Sequence, residues 1–174
     1  KRLASYAHHI LSSFDEMEQT MGHWAENSLI KVGVSVTIGT CILSGLYTRF
    51  ISEYPNACIE AIIDNTTIVE AMVLKSQLDF GLVEGPIHSR DIVSKPFMDD
   101  ELILVCGAGH PFSDRGSIDP AELSKADFIL RERGSGTREL FENTMLSRGV
   151  NIRVKWESNS SETIKNAVIS NIGV

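Results

Sequence analysis

Ser35, Thr37 and Thr40 belong to a loop, residues 35–40, after a β-branched run of Val32, Val34 and Val36, and Gly39 and Thr40 open a helical pattern through Leu43, Leu46, Tyr47 and Phe50 that Pro55 stops. Hydroxyls and free amides of residues 35–40 would then lie at the carboxyl end of one strand and the amino end of one helix. That is where a parallel sheet collects anions. A second stretch has the same form: Phe128, Ile129 and Leu130 run into RERGSGTRE, residues 131–139, and then into a helix. Gly134 and Gly136 let backbone amides approach a ligand, and Ser135 and Thr137 supply hydroxyls. Alone, this loop reads equally well as a helix cap with glycines for a tight turn. An anion at a single helix terminus gains only about 0.3–1 kcal/mol when exposed and up to about 2 kcal/mol when partly buried. Two such termini facing each other across a cleft can supply micromolar affinity.

Other chemistries are poorly supported. GSGT lacks the Gly-Lys-Ser/Thr ending of a phosphate loop, and Gly107-Ala108-Gly109 leads into His110-Pro111 and not into a helix. Cys41 sits beside the first loop, where a helix dipole would favour a thiolate, but a packed structural thiol is the preferred reading. His8, His9, His23, His88 and His110 have no metal-ligand spacing and read as solvated, so no metal and no cofactor is called for. Arg131, Arg133 and Arg138 flank the second loop, and one of them pairing with a carboxylate ligand is as good a reading as a solvated cluster. No enzymatic function is expected, because Cys41 lacks a visible base or orienting partner.

The elements that position these loops follow from hydrophobic periodicity. The 174 residues are 43% hydrophobic, enough for one good core or two small ones, and strands alternate with helices in an α/β pattern. Strands are predicted at 57–63, 79–83, 92–97, 101–106, 127–131 and 151–157. Helices are predicted at 68–77, opened by a capping box of Thr67 with Glu70, then after Asp119-Pro120, at 137–147, ended by Gly149, and at 160–171. The formal charge of −7 argues against duplex binding by this chain itself, since phosphate contacts need a concentrated basic face. Three widely spaced cysteines suit a reducing, cytoplasmic setting, and no stretch reaches the roughly 18 apolar residues of a membrane span.

Ahead of these elements, Leu3, Ala7, Ile10, Phe14, Met17, Met21 and Trp24 recur at alternating spacings of 4 and 3, the seam of a heptad helix. A lone helix of that length is marginal in water, so it needs a partner: the body of its own chain or, as we favour, a second copy. The pattern begins without a cap, as though cut from something longer.

The order of KRLASYAHHILSSFDEM, KVGVSVTIGTCILSGLYTRFISEYPN, LDFGLVEG, ELILVCGAGHPF, RERGSGTRE and SNSSETIKNAVISNIGV resembles the LysR-type transcriptional regulators over essentially the whole chain. The resemblance implies an α/β fold of two Rossmann-like lobes similar to type 2 periplasmic binding proteins, preceded by an N-terminal linker helix. It divides the chain into a linker or dimerisation helix at 1–25, lobe I at 29–98 and lobe II at 99–174, both lobes incomplete. A small anionic effector between the lobes would change how a dimer or tetramer contacts promoter DNA through a helix-turn-helix that this chain lacks. Carried over by position, Ser35, Thr37 and Ile38 belong to the first effector loop, Thr66 to the second, and Glu84, Gly85 and Pro86 to the strand end beside the crossover. Ser135 and Thr137 are their counterparts in the second lobe, with Asn159 and Ser160 at the start of the last helix. The same two-lobe plan also serves the solute-binding proteins of transporters, which remain the alternative. Deleting residues 1–24 should convert dimers into monomers in sedimentation. A monomeric intact chain would place the helix against its own body.

Overall fold

The structure, a computed structural model, describes residues 29–174, so the heptad positions lie outside the described residues. The first lobe is built on a parallel sheet of β1 (Leu29–Ser35), β2 (Cys58–Asp64) and β3 (Phe80–Leu82), in the order β2-β1-β3. Register runs from Leu29 beside Cys58 to Ser35 beside Asp64, and Val34 lies beside Leu82. Alternation along β1 sends Val32 and Val34 to one face, where they bury with Ile38, Ile42 and Leu43. Those last three residues belong to α1 (Val36–Cys41), the residue that follows it, and α2 (Leu43–Glu53). Gly33 points to the other face, against α3 (Thr66–Leu74). A Cβ there would sit 2.7 Å from Val69 Cγ1 and 2.5 Å from Leu78 Cδ1, so the missing side chain is what lets α3 and the turn after it press onto the strand.

The second lobe carries β4 (Asp127–Arg131) and β5 (Arg153–Ser158), parallel, with a register shift between Phe128 and Ile129. Around them lie α4 (Pro120–Leu123), α5 (Gly136–Ser147) and α6 (Ser161–Ile169). Phe128 anchors a core with Leu123, Ala126, Met145, Val150 and Val174, and its ring lies 5.1 Å from that of Phe141 on α5. The second edge of β4 bonds to Val174, through Ile129 N–H to the Val174 carbonyl and Val174 N–H to the Asp127 carbonyl, both 2.8 Å.

Several elements differ from expectation. Residues 92–97 and 101–106 form no strand. Their β-branched composition satisfies propensity, but a strand also needs a ladder partner. Leu102, Ile103, Leu104 and Val105 instead line a cavity of about 450 Å³ with side chains of β4 and α5, and Val174 takes the free edge of β4. The helix expected to open at Gly39 and Thr40 begins at Val36, so residues 36–40 are helical and not a loop. Ser35, extended at φ −64° and ψ 155°, is the cap, and Val36, which continues the alternation in sequence, is the first helical residue. Cys41 therefore ends α1 and is exposed, neither packed nor at the positive end of a dipole. Asn65, not Thr67, caps α3 by accepting from Ile68 N–H at 3.1 Å, which frees Glu70 for other partners.

Phe128, 2% exposed, is the largest fully buried side chain and sits at the centre of the second lobe's core. Phe128→Ala should lower the unfolding free energy by about 3–5 kcal/mol in urea denaturation.

Candidate functional site

Because β3 pairs with β1, the chain leaving β3 passes the same sheet end at which Ser35 and Thr37 project. The residue there is Glu84. Ser35 Oγ donates to its Oε2, and Thr37 Oγ1 donates to Oε1 at 3.0 Å. From the second lobe Thr137 Oγ1, in the first turn of α5, donates to the same Oε1 at 2.9 Å. One carboxylate thus accepts from three hydroxyls on two lobes. Ser35 is 1% exposed, so its bond to the carboxylate is shielded from water.

The backbone closes around this group. Thr66 Oγ1 donates to the Glu84 carbonyl at 3.0 Å and accepts from Gly136 N–H at 3.3 Å, while Thr67 N–H donates to the Gly134 carbonyl at 3.1 Å. Gly85, at φ +86°, meets Gly136 so closely that a Cβ on it would lie 2.6 Å from Gly136 Cα. A Cβ on Gly136 would overlap the Glu84 carbonyl. Glycine at both positions is what permits the lobes to touch here.

Two buried arginines hold the second loop. Arg131, 7% exposed at the end of β4, bonds Glu132 through Nε at 2.9 Å and Nη2 at 3.0 Å, and its Nη1 makes a longer contact of 3.4 Å with Thr37 Oγ1. Arg138, 5% exposed, donates to the Arg131 carbonyl at 3.0 Å, Glu157 at 2.7 Å and Glu142 at 2.8 Å, tying α5 to both strands. The paired carboxylates hold its guanidinium above the usual arginine range against the opposing effect of burial. Ser135, the residue before α5, is 2% exposed, and its Oγ has no hydrogen-bond partner among the described residues.

Beside Glu84 opens a cavity of about 260 Å³. Its polar lining is Thr37, Thr137, Glu84, Asp100 and Glu101, and its apolar lining includes Ile38, Phe97 and Leu140. Among the residues singled out in the sequence, Ser35, Thr37, Thr66, Glu84, Gly85 and Thr137 are brought together. Ile38 is a core residue that also borders the cavity. Ser135 adjoins the group through Gly136. Pro86 is exposed and lines a different cavity, of about 840 Å³, with Glu70 and Val73 of α3. Ser160 is used as the cap of α6, accepting from Thr163 N–H at 3.2 Å, and the exposed Asn159 precedes it; no described hydrogen bond joins either to Glu84.

His88, which reads in the sequence as a solvated loop residue, forms a second tie between the lobes. Its Nε2 lies 2.8 Å from Glu139 Oε1 on α5, and its Nδ1 lies 3.5 Å from Glu70 Oε2 on α3. Glu70, 8% exposed, also accepts from His88 N–H at 3.1 Å and Ser89 N–H at 2.6 Å. The hydrogen bond to Glu139 and that carboxylate's charge, followed by the bond to Glu70, raise the His88 pKa above the ordinary histidine value. No signal in the sequence places Glu70, Glu139 and His88 together, because they come from three elements. Among the described residues no group of three or more His, Cys, Asp and Glu side chains is placed to hold a metal ion.

Two facing Ser/Thr-bearing helix starts on two parallel-sheet lobes match a known domain type. The family model described as the LysR substrate binding domain matches residues 25–174. The chain belongs to that family. It is 36% identical over 165 residues to YeiE, an HTH-type transcriptional regulator of Escherichia coli (strain K12), covering 95% of this chain and 55% of YeiE. To CysL, an HTH-type transcriptional regulator of Bacillus subtilis (strain 168), it is 31% identical, covering 97% of this chain and 52% of CysL. The chain thus spans about half the length of these curated relatives. The regulatory domain of CcmR from Synechocystis PCC6803, solved in complex with 2-PG, superposes with a TM-score of 0.76 at 28% identity, over 83% of this chain and 69% of that one. The effector-binding domain of QuiR, solved with shikimate, shares the fold at 17% identity and a TM-score of 0.77, over 84% of this chain and 71% of that one. The fold is therefore that of the LysR effector domain, two Rossmann-like lobes of the type 2 periplasmic-binding-protein kind. Among the described residues no helix is long and apolar enough to cross a membrane.

A histidine whose folded pKa is raised stabilises the fold below its unfolded value and loses that contribution as pH rises through the folded value. Wild type should therefore exceed His88→Gln in melting temperature below about pH 6.5 and converge with it at higher, alkaline pH. A constant offset across that range would detach the tie from protonation.

Proposed function

We propose that this domain is the ligand-sensing, non-enzymatic part of a LysR-type DNA-binding transcriptional regulator, and that its effector is a small anionic metabolite held between lobes 29–98 and 99–174. The observation that carries the reading is the convergence of Ser35 and Thr37 from one lobe and Thr137 from the other on a single carboxylate. The cradle already binds an acidic group, which here is supplied by Glu84. Further support comes from relatives solved with a small molecule in the corresponding domain, 2-PG for CcmR and shikimate for QuiR. A cavity of about 260 Å³ beside the carboxylate suits a ligand of that size class.

In this reading the effector binds one arrangement of the lobes better than another, and the population shifts toward that arrangement. Subunits pair through residues 1–25 as homodimers or tetramers, promoter DNA is contacted by a region outside this chain, and the protein works in the cytoplasm. Ser35, Thr37, Thr66, Ser135 and Thr137 form the polar frame of the site, with Ser35, Thr37 and Thr137 acting on the ligand through Glu84; Gly85 borders them, and Ile38 closes the apolar side. Pro86, Asn159 and Ser160 remain proposed contacts only for an arrangement that brings them nearer. The relatives being transcriptional regulators favours this over a transporter's solute-binding protein.

A thermal-shift screen of carboxylates, phosphorylated metabolites and sulfur oxyanions should find a stabilising ligand. Thr37→Ala and Ser135→Ala should each weaken it by about tenfold in calorimetry, equivalent to about 1.4 kcal/mol. Unchanged affinity in both variants would remove the cleft from the account.

A further inference from the structure

Each hydroxyl carries one proton, and in this structure the three protons of Ser35, Thr37 and Thr137 are all directed at Glu84. They have no second proton for a ligand. The cavity beside them is lined by Glu84, Asp100 and Glu101, whose carboxylates accept and do not donate. Arg131 is not part of that lining: its Nε and Nη2 bond Glu132, and its Nη1 is directed at Thr37 Oγ1. Glu84 itself is not saturated. A carboxylate has about four acceptor positions, and its Oε1 takes Thr37 and Thr137 while Oε2 takes Ser35 alone. Among the side chains that line the cavity the polar chemistry on offer is thus acceptor chemistry, and a bare anion there would meet Glu84 at close range.

Building on the proposed effector cleft, we infer that Glu84 is its specificity-determining residue, selecting anionic ligands that carry a hydrogen-bond donor, a protonated oxyanion or a hydroxy acid, over anions that have none. The ligand's O–H is shared with the open position on Glu84 Oε2, turning a repulsive pair of anions into a charge-assisted hydrogen bond. Anions of similar shape without that proton leave two negative groups facing each other and are rejected. Simple displacement of Glu84 from the cradle by the incoming anion predicts something different, because a displaced carboxylate cannot tell the two kinds of ligand apart.

Two matched pairs of probes test this on the intact chain by calorimetry at neutral pH. Phosphate carries a proton there and sulfate does not; lactate carries a hydroxyl that propionate lacks, at equal charge. Wild type should bind phosphate over sulfate and lactate over propionate by at least about tenfold, the scale of one hydrogen bond to a charged group. Glu84→Gln, which keeps the acceptor and adds an amide donor, should bring each pair together by tightening sulfate and propionate. Glu53→Gln, at the exposed end of α2 and outside the cavity lining, should leave both preferences in place. Wild-type preference is itself a test that needs no variant. Equal binding within each pair by wild type would overturn the selection by Glu84 while leaving an anion cleft standing. No binding of any of the four probes by wild type or Glu84→Gln would overturn the anion cleft as well. A phosphate preference without a lactate preference would make net charge the discriminator and overturn the donor rule.

Discussion

A half-buried carboxylate is held in place when its lone pairs are met by donors, and that requirement organises the junction between the lobes. Glu84 meets it with hydroxyls drawn from both sides of the cleft. Everything needed to bring those hydroxyls within reach is visible around it. The parallel register of β1 with β3 sets Ser35 and Thr37 beside the chain that follows β3. Glycine at 85 and 136 lets the backbones touch, and Arg138 fixes α5, and so Thr137, against the strand end. A substitution at any of these points would disturb the carboxylate without contacting it.

On the proposed function, the same geometry couples recognition to shape. Thr137 is the second lobe's contribution to Glu84, so a ligand that alters how the carboxylate is satisfied also alters what holds the lobes together. His88 ties α3 to α5 only four positions further along the same segment, with its own dependence on protonation. A two-state arrangement of the lobes needs contacts made in one state and released in the other, and these two sets are suitably placed for it.

Much of this architecture is legible in the sequence. Strand β4 is found at the limits read from its composition, and α5 and α6 begin within a residue of their expected starts, Ser160 capping α6 with its side chain while Ser135 precedes α5 without such a bond. Legibility fails where tertiary pairing decides. Residues 92–97 and 101–106 have strand composition and no ladder, and Val36 fits both the alternation of β1 and the first turn of α1 until the backbone of Ser35 settles it. The hydroxyls of the site are recognisable by type. Their common acceptor is not, since Ser35, Thr37 and Thr137 stand 49, 47 and 53 residues from Glu84 in the chain. The partners of His88 are hidden for the same reason, 18 and 51 residues away.

Family membership fixes the kind of domain, and the chemistry of the cleft then narrows what it can recognise. The most direct test of the account is a crystal structure of the chain with the ligand that most raises its melting temperature. The account predicts density in the cavity between Thr37 and Thr137, within hydrogen-bond distance of Glu84, and a changed relation between the two lobes. Ligand bound elsewhere, for instance in the cavity beside Pro86, with the bonds from Ser35, Thr37 and Thr137 to Glu84 unaltered, would contradict it.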